Sequence, residues 1–363
     1  MPRKKKTAVE EEIQNQPEVK EETAVVEDEK GAETTDVKDV KESAPEKTEK
    51  PKRKRKAKVE IDEVTRDTRA LLKGARSNCT ILRGMIERVD IAENAPSPET
   101  SVYAIVHYNN FKVMIPAVAM GIRDVPDELP PQEKASKYKR FLNTMLGANI
   151  DYVVTHVSEG ENIAAGNREV AQNILKKKGF ENKYRNTGMS YMEYAMEKKE
   201  PVEADIVAVS GSQIRLSVFG VEGKVLAKEA SWRFTSNLSE KFYPGETVKI
   251  IVKEIRKNEE NGEITVIGSI RETVDNPQVN NIADYSRNAT CLGRVTGAID
   301  RGYFLTIGDD KTGIEAFCDL VHGGITPQIN DIVSCQLTNI DYETGAAKAK
   351  ITRIIRRSNP GQF

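Results

Sequence analysis

One strand phrase occurs three times in this chain, and it limits what the chain can build. The copies read LGANIDYVVTHV from Leu146, GETVKIIVKEI from Gly245 and INDIVSCQLTNI from Ile329. Each alternates apolar and polar residues with period two, the pattern of a strand with one face on a core and one in water. Each runs on into a polar turn and a short closing strand, so one supersecondary unit is repeated along the chain.

Two further landmarks keep their order around that phrase. A first strand lies upstream in each copy: RGMIERV from Arg83, EADIVAV from Glu203 and LGRVTGA from Leu292. A second strand follows, then a third: FKVMIP from Phe111, VEGKVLAKEASW from Val221 and TGIEAFCDL from Thr312. Five short strands with turn signals between them suit a small Greek-key barrel. An all-β chain of three such barrels is expected, with modules at 77–170, 201–273 and 288–356.

Helical patterns separate the strands at a few places. A short amphipathic helix is expected from Ile61 to about Arg76, with Val64, Leu71 and Leu72 on its apolar side. PQEKASKYKRFLNTMLG from Pro131 puts Tyr138, Phe141, Leu142 and Met145 on one helical face between the third and fourth strands of the first module. NREVAQNILKKKGF and KYRNTGMSYMEYAMEKKE read as helices of a linker over 171–200, and VDNPQVNNIADYS reads as a Pro- and Asn-rich strap.

The formal net charge of −1 hides a strong segregation. Residues 1–66 hold no aromatic residue and alternate acidic with basic blocks, which leaves too little apolar surface to offset the entropy of ordering. A disordered charged tail over 1–60 is therefore expected. Its basic run KPKRKRKAK, Lys50 to Lys58, suits either phosphate binding or a solvated spacer. No run of 18 or more apolar residues and no apolar stretch behind MPRKKK is present, so a cytoplasmic protein with no membrane partner is expected. Cys79, Cys291, Cys318 and Cys335 are widely spaced and have no histidine at ligand spacing, which reads as reduced structural thiols.

The second and third modules resemble the RNA-binding domain of bacterial ribosomal protein S-one, a five-stranded OB-fold barrel. The residues that carry the resemblance are Glu222-Gly223-Lys224-Val225 with Glu229-Ala230-Ser231-Trp232 at one third strand, and Gly245-Glu246-Thr247-Val248 at the fourth. In the third module they are Gly302-Tyr303-Phe304-Leu305 and Gly313-Ile314-Glu315-Ala316-Phe317. The family's His and Ser positions carry Leu226 and Lys228, and the first module shares mainly the fourth-strand phrase and Ala165-Gly166-Asn167-Arg168-Glu169. The resemblance implies three tandem OB-fold barrels of a translation-related or mobile-element protein, binding single-stranded RNA across strands two and three. There, bases stack on aromatic rings while cations neutralise phosphate.

In the third module, alternation puts Leu305 and Ile307 in the core and turns Phe304 outward, to stack on a base or to cover a neighbouring loop. Arg301 and Tyr303 flank it, Lys348 lies on the closing strand, and Phe317 reads as core more than contact. In the second module Ser210-Gly211-Ser212-Gln213 replaces both aromatics of the second strand, leaving Arg215, Lys224, Trp232, Arg233 and Arg271 as candidates, with Trp232 favoured as a packing residue. In the first module the candidates are Tyr103, His107, Lys112 and Arg168.

The three histidines, His107, His156 and His322, have no serine, cysteine or carboxylate at a catalytic spacing, and no phosphate-binding loop or dinucleotide fingerprint occurs. A non-catalytic protein is expected, with no cofactor, metal or small-molecule substrate and with single-stranded RNA and the small ribosomal subunit as partners. Two rivals stand beside that reading. One is a single-stranded DNA-binding or chaperone protein of a mobile element; the other is an adaptor whose barrels dock a protein.

Overall fold

The computed structural model describes residues 52–92, 95–122, 125–126, 128–259, 262–309, 312–320 and 325–358. The expected tail falls mostly on residues 1–51, outside that range. Where description begins the chain is already helical: α1 spans Lys52–Ser77, starting inside the basic run rather than at Ile61. Only part of the expected apolar face is used. Thr68 and Leu72, four residues apart, are 2% and 0% exposed, while Val64 and Leu71 are 52% and 59% exposed. The helix covers one end of the first barrel, where Thr68 Oγ1 accepts from Asn109 Nδ2 at 3.2 Å and the Arg69 guanidinium lies 5.4 Å from the Phe111 ring centre.

The first barrel consists of β1 (Ile81–Ile91), β2 (Val102–Tyr108), β3 (Phe111–Pro116), β4 (Asn149–Val157) and β5 (Ile163–Asn167). Its strands close in the ring β1-β2-β3-β5-β4, antiparallel except between β3 and β5. Helix α2 (Pro131–Thr144) joins β3 to β4, and it buries Leu142 and Met145 fully while Tyr138 and Phe141 pack on the same core.

Helices α3 (Arg168–Lys176) and α4 (Tyr191–Lys198) lead to the second barrel. Its strands are β6 (Val202–Val209), β7 (Gln213–Val218), β8 (Val221–Leu226), β9 (Thr247–Lys257) and β10 (Ile264–Ser269), with one helical turn, α5 (Ala227–Ala230), after β8. The Pro- and Asn-rich strap is not loose. It forms α6 (Pro277–Asn281) and a 3-10 turn that places Ile282, 0% exposed, in the core of the third barrel. Asn276 Nδ2 also donates to Thr344 O at 2.8 Å, which ties the strap to a turn of that barrel. Strands β11 (Thr290–Ile299), β12 (Gly302–Ile307), β13 (Ile314–Asp319), β14 (Ile332–Asp341) and β15 (Ala346–Arg356) complete it.

All three barrels are closed with the same strand order, which is that of an OB fold. The repeated phrase fills equivalent core positions: Ile150, Tyr152 and Val154 in β4, Ile250 and Val252 in β9, and Val333, Cys335 and Leu337 in β14, each at most 3% exposed. Burying each such side chain contributes about 1.5–3 kcal/mol. Every first strand shifts register once, between Ile86 and Arg88, Ile206 and Ala208, and Val295 and Gly297. A bulge bends a strand, and bending is what closure of five short strands requires. All four cysteines are free thiols. Among the described residues no helix is long and apolar enough to cross a membrane.

The described residues from 53 to 358 form one compact unit, with direct contacts between successive barrels. The bulge in β6 turns Val207 out of its own barrel and into the core of the first. Asn149 Nδ2 donates to Gly245 O at 2.8 Å, and Arg83 pairs with Asp205. Gly245 holds a φ of +94°, and a Cβ there would overlap the carbonyl of Gly147.

Candidate nucleic-acid interface

The β2–β3 face of the first barrel combines an aromatic ring with charge. Tyr103 is half-buried, with the Lys112 ammonium 6.0 Å from its ring centre. Lys112 Nζ also lies 3.4 Å from Asp90 Oδ2, and His107 Nδ1 lies 2.7 Å from Glu87 Oε2. Both candidate side chains therefore have a carboxylate beside them. Arg168 departs further from the expected role. It is 7% exposed and its Nη1 donates to Met120 O at 2.7 Å, so it pins the segment after β3 to the start of α3. Burial lowers its pKa to about 10, against the attraction of Asp151 and Glu222. A cavity of about 70 Å³ beside it is lined by Lys176 and Arg215 but also by Glu169, Glu222 and Glu263, which leaves it balanced in charge.

In the second barrel the candidates hold the structure together. The Arg215 guanidinium sits 4.1 Å from the Phe141 ring centre, across the joint with the first barrel, and its Nε donates to Glu222 at 3.3 Å. Lys224 lies 3.9 Å from the same carboxylate and keeps its side chain 45% exposed. Trp232 is a packing residue: its Nε1 donates to Val274 O at 3.0 Å and Arg271 lies over its ring at 4.8 Å, while Arg271 also pairs with Glu229 at 3.2 Å. Arg233 reaches the third barrel, donating to Gly313 O at 3.1 Å.

The third barrel carries the clearest departure from the expected site. Phe304 does point away from its own core, but the Phe234 ring of the preceding barrel is stacked on it, with centroids 4.2 Å apart and planes 12° from parallel. Phe317 is not core. It alternates with buried Ala316 and Cys318, faces outward and packs on Phe304 at 5.1 Å. Gly297, at the β11 bulge, makes room for this arrangement, since a Cβ there would overlap the Phe234 ring. Glu315 completes the joint by accepting the Phe234 N–H at 2.8 Å; burial raises its pKa to about 6, against the Phe234 amide, Arg233 and Lys241. Tyr303 packs on the third core, as its register with Leu305 requires. Lys348 pairs with Asp319 at 3.5 Å, and Arg301 is exposed with no side-chain partner among the described residues.

The contact Phe234 makes has no signature within either module. Its only hint in the sequence is an aromatic residue two positions after Trp232, in a loop that period-two reasoning does not place.

No protein-family model and no curated protein sequence matches this chain. Among solved structures, a chain of an a/eIF2alpha–aDim2p–rRNA complex from Pyrococcus horikoshii is 17% identical over 24% of this chain and 54% of its own length, with a TM-score of 0.19. The match thus spans about half of that chain. A multidomain protein with nucleic acid binding domains from Streptococcus pneumoniae is 7% identical over 75% of this chain and 73% of its own, with a TM-score of 0.18. A murine DNA binding protein bound to double-stranded DNA is 11% identical over 45% and 99%, also at 0.18. At these scores the likenesses carry no argument, and the assignment of three tandem OB-fold barrels rests on strand order and closure.

Proposed function

We propose that this protein binds single-stranded RNA without catalysing its turnover, in the cytoplasm and in contact with the small ribosomal subunit. The observation that carries the reading is the repetition of a closed OB barrel, with the Tyr103 ring and the Lys112 ammonium side by side on the first barrel's β2–β3 face. A ring next to a cation suits a nucleotide, because the ring stacks on the base and the cation meets the phosphate. The ribosomal partner is supported by the resemblance of the second and third modules to S-one domains.

A fluorescent unstructured RNA 20-mer titrated with the full chain tests this, beside a DNA 20-mer of the same sequence. Tyr103→Ala is expected to weaken RNA binding by about fivefold or more, since one stacked base contributes about 1–3 kcal/mol. Equal affinity for both oligomers returns the DNA-binding alternative. A second reading, the protein-docking adaptor, is favoured by the carboxylates Glu87, Asp90, Glu222 and Asp319 that face the candidate cations. It predicts a folded chain that binds neither oligomer at low salt.

A further inference from the structure

Residues 288–356 carry eight acidic and seven basic residues, yet the described ones are sorted onto different sides. The register of β11, β14 and β15 places three rows across the outer face of that sheet: Arg294, Ile332 and Arg356; Leu292, Ser334 and Arg353; Thr290, Gln336 and Lys350. Residues directly opposite each other on neighbouring strands share a face. Val333, Cys335 and Leu337 between the rows are all 0% exposed and point into the core, so the rows point out. Arg294, Lys350, Arg353 and Arg356 are all exposed, and among the described residues none of their side chains makes a hydrogen bond or ion pair.

No row contains a carboxylate. Asp331, at the start of β14, is 0% exposed, and its two carboxylate oxygens accept the backbone N–H groups of Gln328 and Ser358 at 2.8 and 2.7 Å. Asp309 shares a groove with Leu292, Arg294 and Ile332 at one margin. Of the other described acidic groups of the barrel, Asp300 and Glu343 lie on turns, Asp341 ends β14, and Glu315 and Asp319 lie on the β12–β13 side, where Asp319 meets Lys348. The contrast with the expected interface is direct: there nearly every candidate cation already has a carboxylate or a carbonyl beside it, whereas here four have none.

From this sorting we propose that the outer face of β11, β14 and β15 binds the phosphodiester backbone of a nucleic acid strand, on the side of the barrel away from the β12–β13 stacking face. The inference rests on the nucleic-acid reading above and adds a site to it. A column of three cations on β15, Arg356, Arg353 and Lys350, and the single cation Arg294 on β11 border a central column of Ile332, Ser334 and Gln336, and successive rows lie about 7 Å apart along the strands. Leu292, 62% exposed, supplies an apolar surface beside the cations for a sugar or a base. A contact of this kind reads charge and not sequence or sugar, so RNA and DNA strands use it equally.

The test is a salt series with fluorescent U20 RNA and dT20 DNA, comparing the full chain with Arg353→Gln/Arg356→Gln. Each phosphate neutralised on a single strand contributes a log–log slope of about −0.7. Loss of two cations is expected to make the slope shallower by about 1.4 for both oligomers, so the affinity gained on diluting salt fourfold falls by about sevenfold. Both positions are exposed, and an unchanged far-UV spectrum and melting temperature establish that the variant is folded. If the wild-type chain binds and the variant keeps its slope, this site is refuted while the nucleic-acid reading stands. If the wild-type chain binds neither oligomer at low salt, both fall. A variant that does not fold is replaced by Arg294→Gln/Lys350→Gln, on the other strand and the other end of β15, for which the same change in slope is expected.

Discussion

Replacing Glu315 by Gln should remove a pH-dependent step from the stability of the joint between the second and third barrels. The Glu315 carboxylate faces the Phe234 amide, Arg233 and Lys241, but burial outweighs all of them and raises the pKa from 4.5 to about 6. The folded chain thus holds this proton more tightly than the unfolded chain. Its contribution is fully present below pH 4.5 and is lost as the pH rises through 6, to the extent of about 2 kcal/mol. Gln keeps an oxygen to accept the Phe234 N–H and carries no charge at any pH. The variant should match the wild type near pH 4 and be about 2 kcal/mol more stable at pH 7.5. Urea unfolding followed by the fluorescence of Trp232, the single tryptophan, reads this region of the molecule. The wild-type and variant curves should converge at low pH. If the two proteins lose stability in parallel between pH 4.5 and 7.5, Glu315 does not titrate in that window and the buried joint is refuted.

Other residues of the joint and core give sharper tests of single contacts. Phe234→Ala removes the stacked partner of Phe304 and should cost about 2–3 kcal/mol, from the ring pair and the lost burial together, read as faster hydrogen exchange in β12 and β13. Unchanged protection there would mean that the ring is not seated. Arg168→Met should destabilise the first barrel by about 1.5–3 kcal/mol, through loss of a charged hydrogen bond to Met120 O, and leave the salt slope of RNA binding unchanged. A shallower slope in a folded variant would return Arg168 to the binding surface.

The barrels were legible in the sequence because a barrel strand writes its two faces into alternate residues. Leu305 and Ile307 are 0% and 2% exposed, where period two puts them, and the α2 face of Leu142 and Met145 was visible from helical spacing. The environment of the outward residues was not legible. Period two shows that Phe304 leaves its core but says nothing of what it meets, and Phe234 comes from a loop of another barrel. Arg168 was misplaced for a related reason: it follows a strand, but the chain turns there into α3 and carries the guanidinium inward. The cationic rows were hidden because they depend on register. Arg353 and Arg356 are three residues apart on β15, which alternation alone puts on opposite faces, and the one bulge between Ile354 and Arg356, opposite β14, returns them to one.

The central claim, that three OB barrels in series hold a single strand of RNA, is tested most directly by titrating an unstructured RNA 20-mer with the full chain from low to high salt. The expected result is binding that weakens steadily as salt rises, with a log–log slope of about −0.7 for each phosphate neutralised. A folded chain that leaves the RNA free at the lowest salt would contradict it.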